Sequence, residues 1–140
     1  MMSEKVVSLR ERIADSEKIT INLGYVDLGR IDLLVQEGFF SNRSDFIRTA
    51  IRNELGNHSA EVTRSIERHT FEVGLVDLGA SRLEAARAAG ELLHLRVVGL
   101  LRIASDVTPE LALKTIGSLR VLGSLQADQR VKAALASRIE

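Results

Sequence analysis

Six residues, Lys18-Ile-Thr-Ile-Asn-Leu23, alternate polar and apolar without a break. A period of two sends successive side chains to opposite faces of an extended chain. The run predicts a strand with Ile19, Ile21 and Leu23 on one face and Lys18, Thr20 and Asn22 on the other; Gly24 ends it. The apolar spacing then changes to three and four. Leu28, Ile31, Leu34 and Val35 make the stripe of a short helix, with Asp27 as N-cap and Gly38 as C-terminal cap. After Phe39-Phe40-Ser41, Asn42 and Asp45 stand three apart as in a capping box and open a second helix. Its apolar stripe is Phe46, Ile47, Ala50, Ile51 and Leu55, and its solvent stripe carries Arg48 and Arg52. Gly56-Asn57 is a stop signal. Upstream, residues 1–17 form a charged N-terminal arm, either mobile or a short helix along Val6, Leu9 and Ile13. Downstream, residues 58–69 are polar, and Val62 and Ile66, four apart, predict a connecting helix.

Residues 70–140 repeat. Leu95-Arg-Val-Val-Gly-Leu-Leu aligns with Leu119-Arg-Val-Leu-Gly-Ser-Leu at an offset of 24, and Val73-Gly-Leu-Val matches Val98-Gly-Leu-Leu with one insertion. Each apolar run precedes a helical pattern: Arg82–Leu93, Pro109–Ile116 with Thr108 as N-cap, and Asp128–Ile139. The order reads βαβαβα. It predicts parallel strands, in a solenoid-like stack or a compact α/β domain, with Val97, Leu100, Val121 and Leu125 buried, two covered faces on the last strand and no caps on the end repeats.

A single strand followed by two helices leaves a row of backbone donors and acceptors unpaired. A second copy supplies the missing neighbour, the two strands pairing antiparallel about a two-fold axis. The apolar face of that ribbon is then covered by four helices, and Lys18, Thr20 and Asn22 of both chains face outward. A two-stranded ribbon fits the DNA major groove. Residues 18–55, most specifically Asn42-Arg-Ser-Asp-Phe-Ile-Arg-Thr-Ala-Ile-Arg52, resemble the ribbon-helix-helix DNA-binding proteins of the CopG/MetJ/Arc class. The resemblance implies an intertwined homodimer with Ile19, Ile21, Leu23, Phe46, Ile47 and Ile51 in its core. It implies base reading by Lys18, Thr20 and Asn22, and a phosphate grip by Asn42, Arg43 and Ser44. The last agrees with the free N–H groups and partial positive charge of a helix N-terminus. The expected fold is therefore α+β: residues 18–57 as a β-α-α ribbon-helix-helix domain, then a small βα-repeat domain over 70–140.

Charge alters this picture only slightly. The 140 residues carry 19 basic and 19 acidic side chains, and residues 1–57 hold 8 Lys and Arg against 9 Asp and Glu. A neutral module binds DNA through segregated charge, with Lys18, Arg43, Arg10 and Arg12 on one side, not through a global field. Cys is absent, which removes thiol chemistry and Cys-ligated zinc. His58, His69 and His94 have no short ligand spacing, so no metal or cofactor is expected. Gly74 and Gly79 lack the spacing of a phosphate loop, and Asp77 and Asp106 suit turns and caps better than catalysis. No enzyme activity is expected. The longest charge-free stretch, Ile19–Val26, is too short to span a membrane, and the N-terminus lacks a secretory core, which together suggest a cytoplasmic protein.

The function expected is sequence-specific binding of double-stranded DNA by a transcriptional regulator, most readily a repressor. Its C-terminal domain would assemble dimers into tetramers or larger units. The alternative is an antitoxin-type or scaffold protein whose C-terminal domain binds a protein partner.

Overall fold

The computed structural model describes residues 16–140. The arm expected over residues 1–17, with Arg10 and Arg12, lies outside them except for its last two residues. The described chain forms two compact units, Ser16–Ser65 and Ile66–Glu140.

In the first unit, α1 spans Tyr25–Gln36 and α2 spans Arg43–Asn57. Helix α1 starts earlier than its sequence suggests. Gly24 is the N-cap, its carbonyl accepting from Leu28 N–H at 3.0 Å, and Asp27 lies in the first turn, where its charge suits the helix dipole. Gly38 closes the helix with φ +86°, and Phe39 N–H donates to Leu34 O at 3.0 Å. This left-handed C-terminal turn favours glycine. Helix α2 opens on the reciprocal cap its sequence announces: Asn42 Oδ1 accepts from Asp45 N–H at 2.8 Å, and Asp45 Oδ2 accepts from Ser41 N–H at 2.9 Å. A third helix, α3, spans Ser59–His69. Residues 18–23 belong to no helix or strand. A strand is defined by its ladder, and among the described residues of one chain this segment has no strand neighbour.

The second unit is a three-stranded parallel sheet in the order β1-β2-β3, with β1 Glu72–Leu78, β2 Leu93–Ile103 and β3 Ile116–Gln126. Helices α4 (Ala80–Ala88), α5 (Pro109–Thr115) and α6 (Gln129–Leu135) follow the strands in turn. The sequence repeat is the strand register: Val73 pairs with Val98 and Leu95 with Leu119. Leu78, Leu95, Val97, Leu101 and Leu119 meet Leu83, Leu111, Val131 and Leu135 in one core, so all three helices cover the same sheet face. One side-chain cap links neighbouring repeats and another closes a repeat's own helix. Asp106, after β2, accepts from Ala80 N–H at the start of α4 at 3.1 Å, and Thr108 Oγ1, the N-cap of α5, accepts from Leu111 N–H at 3.2 Å.

Gly74, Gly99 and Gly123 stand in register across the sheet with φ of +120°, +139° and +123°. A Cβ on Gly99 would sit against the Gly74 carbonyl, and one on Gly123 against the Gly99 carbonyl. The repeated glycine is therefore imposed by backbone conformation, and at two of the three positions by close strand approach as well.

Three expectations need correction. Helix α4 ends at Ala88 and Leu93 begins β2, because an apolar run before a strand cannot be told from a helix end by spacing alone. The last strand has one covered face: Val121 and Leu125 pack half-buried against the core, while Leu122 on the other face is exposed, as are Val73 and Leu75 on the opposite edge strand across β2. Val97 and Leu100 are buried, but Leu100 alternates onto that second face. The final repeat is capped, since Glu140 N–H donates to Leu119 O at 2.7 Å, Ile139 bridges Leu119 in parallel, and Arg138 donates to Ile116 O at 2.7 Å and to Leu113 O.

Candidate nucleic-acid interface

Lys18, Thr20 and Asn22 are exposed. The alternate side chains grow steadily less so toward α1: Ile19 is 72%, Ile21 56% and Leu23 38% exposed. The gradient has a simple cause. Ile21 and Leu23 lie over an open groove of about 540 Å³ floored by Ile31 and Leu34 of α1 and by Phe46, Ile47, Ala50 and Ile51 of α2, with Asp27 and Arg30 as its polar members. Five of the six residues expected in a dimer core line this groove; Ile19 does not. Phe40 stacks edge-to-face on Phe46 with ring centres 5.0 Å apart, fixing one wall. Within the unit Ser16–Ser65 only Ile31 is fully buried, so the apolar stripes of α1 and α2 lie largely open in one chain.

The N-terminus of α2 carries the three residues expected at a phosphate. Asn42 uses its carbonyl oxygen to cap Asp45 N–H. Ser44 is exposed in the first turn, and the first helical bond, Phe46 N–H to Asn42 O, leaves the Arg43 and Ser44 N–H groups ahead of the helical ladder. Arg43 is differently engaged. Its Nε and Nη2 donate to the two oxygens of Asp32 on α1, each at 2.8 Å, in a bidentate pair across the interhelical turn. The hydrogen-bonded guanidinium holds the Asp32 carboxyl below its usual range, and the same bond raises Arg43. Arg43 thus ties α2 to α1 in a single chain, and Asp32 is a member of this site that sequence spacing did not bring out. Arg48 and Arg52 are exposed along α2.

The histidines have local roles. Both His58 ring nitrogens face carboxylates, Glu54 at 3.0 Å and Glu61 at 3.1 Å; His69 packs near Phe71; His94 Nδ1 lies 2.8 Å from Ser118 Oγ. Asp77 faces Arg102 at 3.9 Å. Among the described residues no helix is long and apolar enough to cross a membrane.

No curated protein and no solved structure matches this chain. A family model does, over residues 14–132, from just before the alternating segment through α1 and α2 and on through all three strands to the middle of α6. The βα unit is therefore as much part of the family's pattern as the helices that carry the groove. The match spans well over half of the chain, which belongs to the Ribbon-Helix-Helix transcriptional regulator family, a class of dimeric, non-catalytic, DNA-binding regulators.

Proposed function

We infer that the protein is a sequence-specific regulator that reads the major groove with a ribbon built from residues 18–23 of two chains, and that it represses by occluding a promoter. The observation that carries this reading is the two-sidedness of that segment: Ile21 and Leu23 lie over an apolar groove, while Lys18, Thr20 and Asn22 face solvent. Pairing two such segments supplies each with its missing backbone partners and brings more apolar surface to the grooves. The outward hydroxyl and amide groups suit base edges, and Lys18 suits guanine or phosphate. Asn42, Ser44 and the leading N–H groups of α2 suit phosphate oxygens. Arg43 joins them by sharing its guanidinium between Asp32 and the DNA or by exchanging one for the other.

Selection of bound sequences from random duplexes tests the reading. A defined, two-fold symmetric site is expected, and a preference that Thr20→Ala and Asn22→Ala both leave unchanged would refute it.

The open sheet face bearing Val73, Leu75 and Leu122 supports a second reading of the C-terminal unit, as an assembly surface for further dimers or for a protein partner. Light scattering of the full-length protein separates the two: tetramers or larger particles favour self-assembly, and plain dimers favour a partner.

A further inference from the structure

The apolar stripe of α2 does not stop where the groove stops. At about 100° per residue, Ile47, Ile51 and Leu55 share one helix face with Val62 of α3 within an arc of about 80°, if the helix direction carries across His58. The backbone ladder itself is interrupted there: His58 N–H closes α2 on Leu55 O at 3.2 Å, and Val62 N–H opens α3 on His58 O at 3.0 Å, with φ −107° and ψ 13° at His58 between them. The side chains around the junction nevertheless keep the helical direction. The His58 ring reaches Glu54, four residues back, and Glu61, three residues on, the spacing at which one continuous helix brings side chains together.

Ile47 and Ile51 line the groove, whereas Leu55 and Val62 extend the same face beyond it. Ile51 is 47%, Leu55 60% and Val62 43% exposed. An amphipathic helix turns its apolar stripe toward a packing surface. In the dimer proposed above, the second copy covers the groove end of this stripe, and Leu55 and Val62 continue that face.

We propose that the dimer interface runs on past the groove along Leu55 and Val62, each protomer's stripe packing on the same stripe of a second copy. The connecting helix is then part of the dimer and not a tether. The proposal rests on the dimeric reading of the ribbon-helix-helix unit. Two-fold symmetry places every stripe residue at the interface twice, so a single substitution removes two side chains from it.

Sedimentation of the full-length protein over a dilution series tests this with Leu55→Gln, Val62→Gln and the milder Val62→Ala, against Arg64→Gln on the far side of α3. Circular dichroism checks helix content. Each stripe variant should raise the dimer dissociation constant about tenfold or more, with Arg64→Gln unchanged. At concentrations that restore the dimer, the DNA sequence preferred should be that of the wild type. A wild-type dimer whose dissociation constant moves less than twofold in all three stripe variants overturns the proposal. So does a loss of thermal stability that does not depend on concentration, which would mean that the stripe packs within its own chain. A wild-type protein that stays monomeric at about 100 μM, far above the range of a stable dimer, removes the dimeric reading itself and the extension with it.

Discussion

Gly99→Ala tests the cross-strand glycine row, and the structure assigns different costs to three glycines that the repeat makes look equivalent. All three have φ between +120° and +139°, a region that costs an L-residue about 1–3 kcal/mol. At Gly74, on the edge strand, nothing lies near an added Cβ, so that cost stands alone. At Gly99 and Gly123 the methyl meets the carbonyl group of the preceding strand's glycine, a backbone atom that moves only with the ladder. Displacing a central strand adds overpacking strain of about 1–3 kcal/mol. Gly74→Ala should therefore cost about 1–3 kcal/mol and Gly99→Ala about 2–6, with Gly123→Ala close to Gly99→Ala. Against a total stability of about 5–15 kcal/mol, the central variant is severe. Urea unfolding at one fixed protein concentration measures the order, through the shift in midpoint at unchanged slope. A Gly74→Ala loss equal to or larger than that of Gly99→Ala would refute the close-approach argument. A Gly99→Ala loss below about 0.5 kcal/mol would refute the assigned backbone conformation as well.

Thr20→Ala and Asn22→Ala should each relax preference at one or two base pairs at a cost of about 1–3 kcal/mol without unfolding the protein, as competition binding with single-base variants of the selected site will show. Of the cations proposed to meet DNA, Lys18 is exposed and Arg43 is paired with Asp32, so the slope of log K against log salt should be shallow, about −2 to −4; a slope near −8 would mean that Arg43 leaves Asp32 or that the exposed Arg48 and Arg52 also reach phosphate. The Asp32 carboxyl is held below its usual range by the Arg43 guanidinium, so the tie contributes fully above the usual range and is lost as pH falls from there through the lowered folded value; the stability difference between wild type and Asp32→Asn should be present at pH 7 and shrink progressively in acid, and a difference independent of pH would place the tie's effect elsewhere. Val121→Asp puts a charge against the helix-covered core and should destabilise the βα unit by about 3 kcal/mol or more in thermal melts; retention of the wild-type melting temperature would mean that β3 is turned the other way.

The parallel sheet was legible because its repeat is also its register. Leu95 opposite Leu119 and Val73 opposite Val98 follow from offsets of 24 and 25. Capping chemistry was equally readable where the side chain and its target lie within one turn, as at Asn42 and Thr108. Boundaries failed where two signals overlap. Asp27 suits an N-cap and a first turn alike, and the Leu92-Leu93 pair suits a helix end as well as a strand start. Which face of β3 is covered was not legible, because Leu122 and Leu125 are equally apolar and only the placement of α5 and α6 on one side decides between them.

The two-sidedness of residues 18–23 and the groove beside them were legible where periodicity governs. Alternation alone separates Lys18, Thr20 and Asn22 from Ile19, Ile21 and Leu23, and helical spacing brings Phe46, Ile47 and Ile51 under Ile21 and Leu23. What periodicity does not govern is a contact between helices across a turn. Arg43 and Asp32 are eleven residues apart on different helices, so nothing in their spacing pairs them, yet the bidentate bond changes what Arg43 can do. A guanidinium in a planar fork with a carboxylate still has donors left over. It can therefore meet a phosphate without letting Asp32 go, but it brings little net charge to the encounter. In a unit whose basic and acidic residues nearly cancel, affinity on the proposed reading depends on geometry more than on field: on Lys18, on the capped start of α2, and on the apolar faces proposed to hold two copies in register. On that reading, weakening the dimer should cost DNA affinity as directly as removing Thr20 or Asn22.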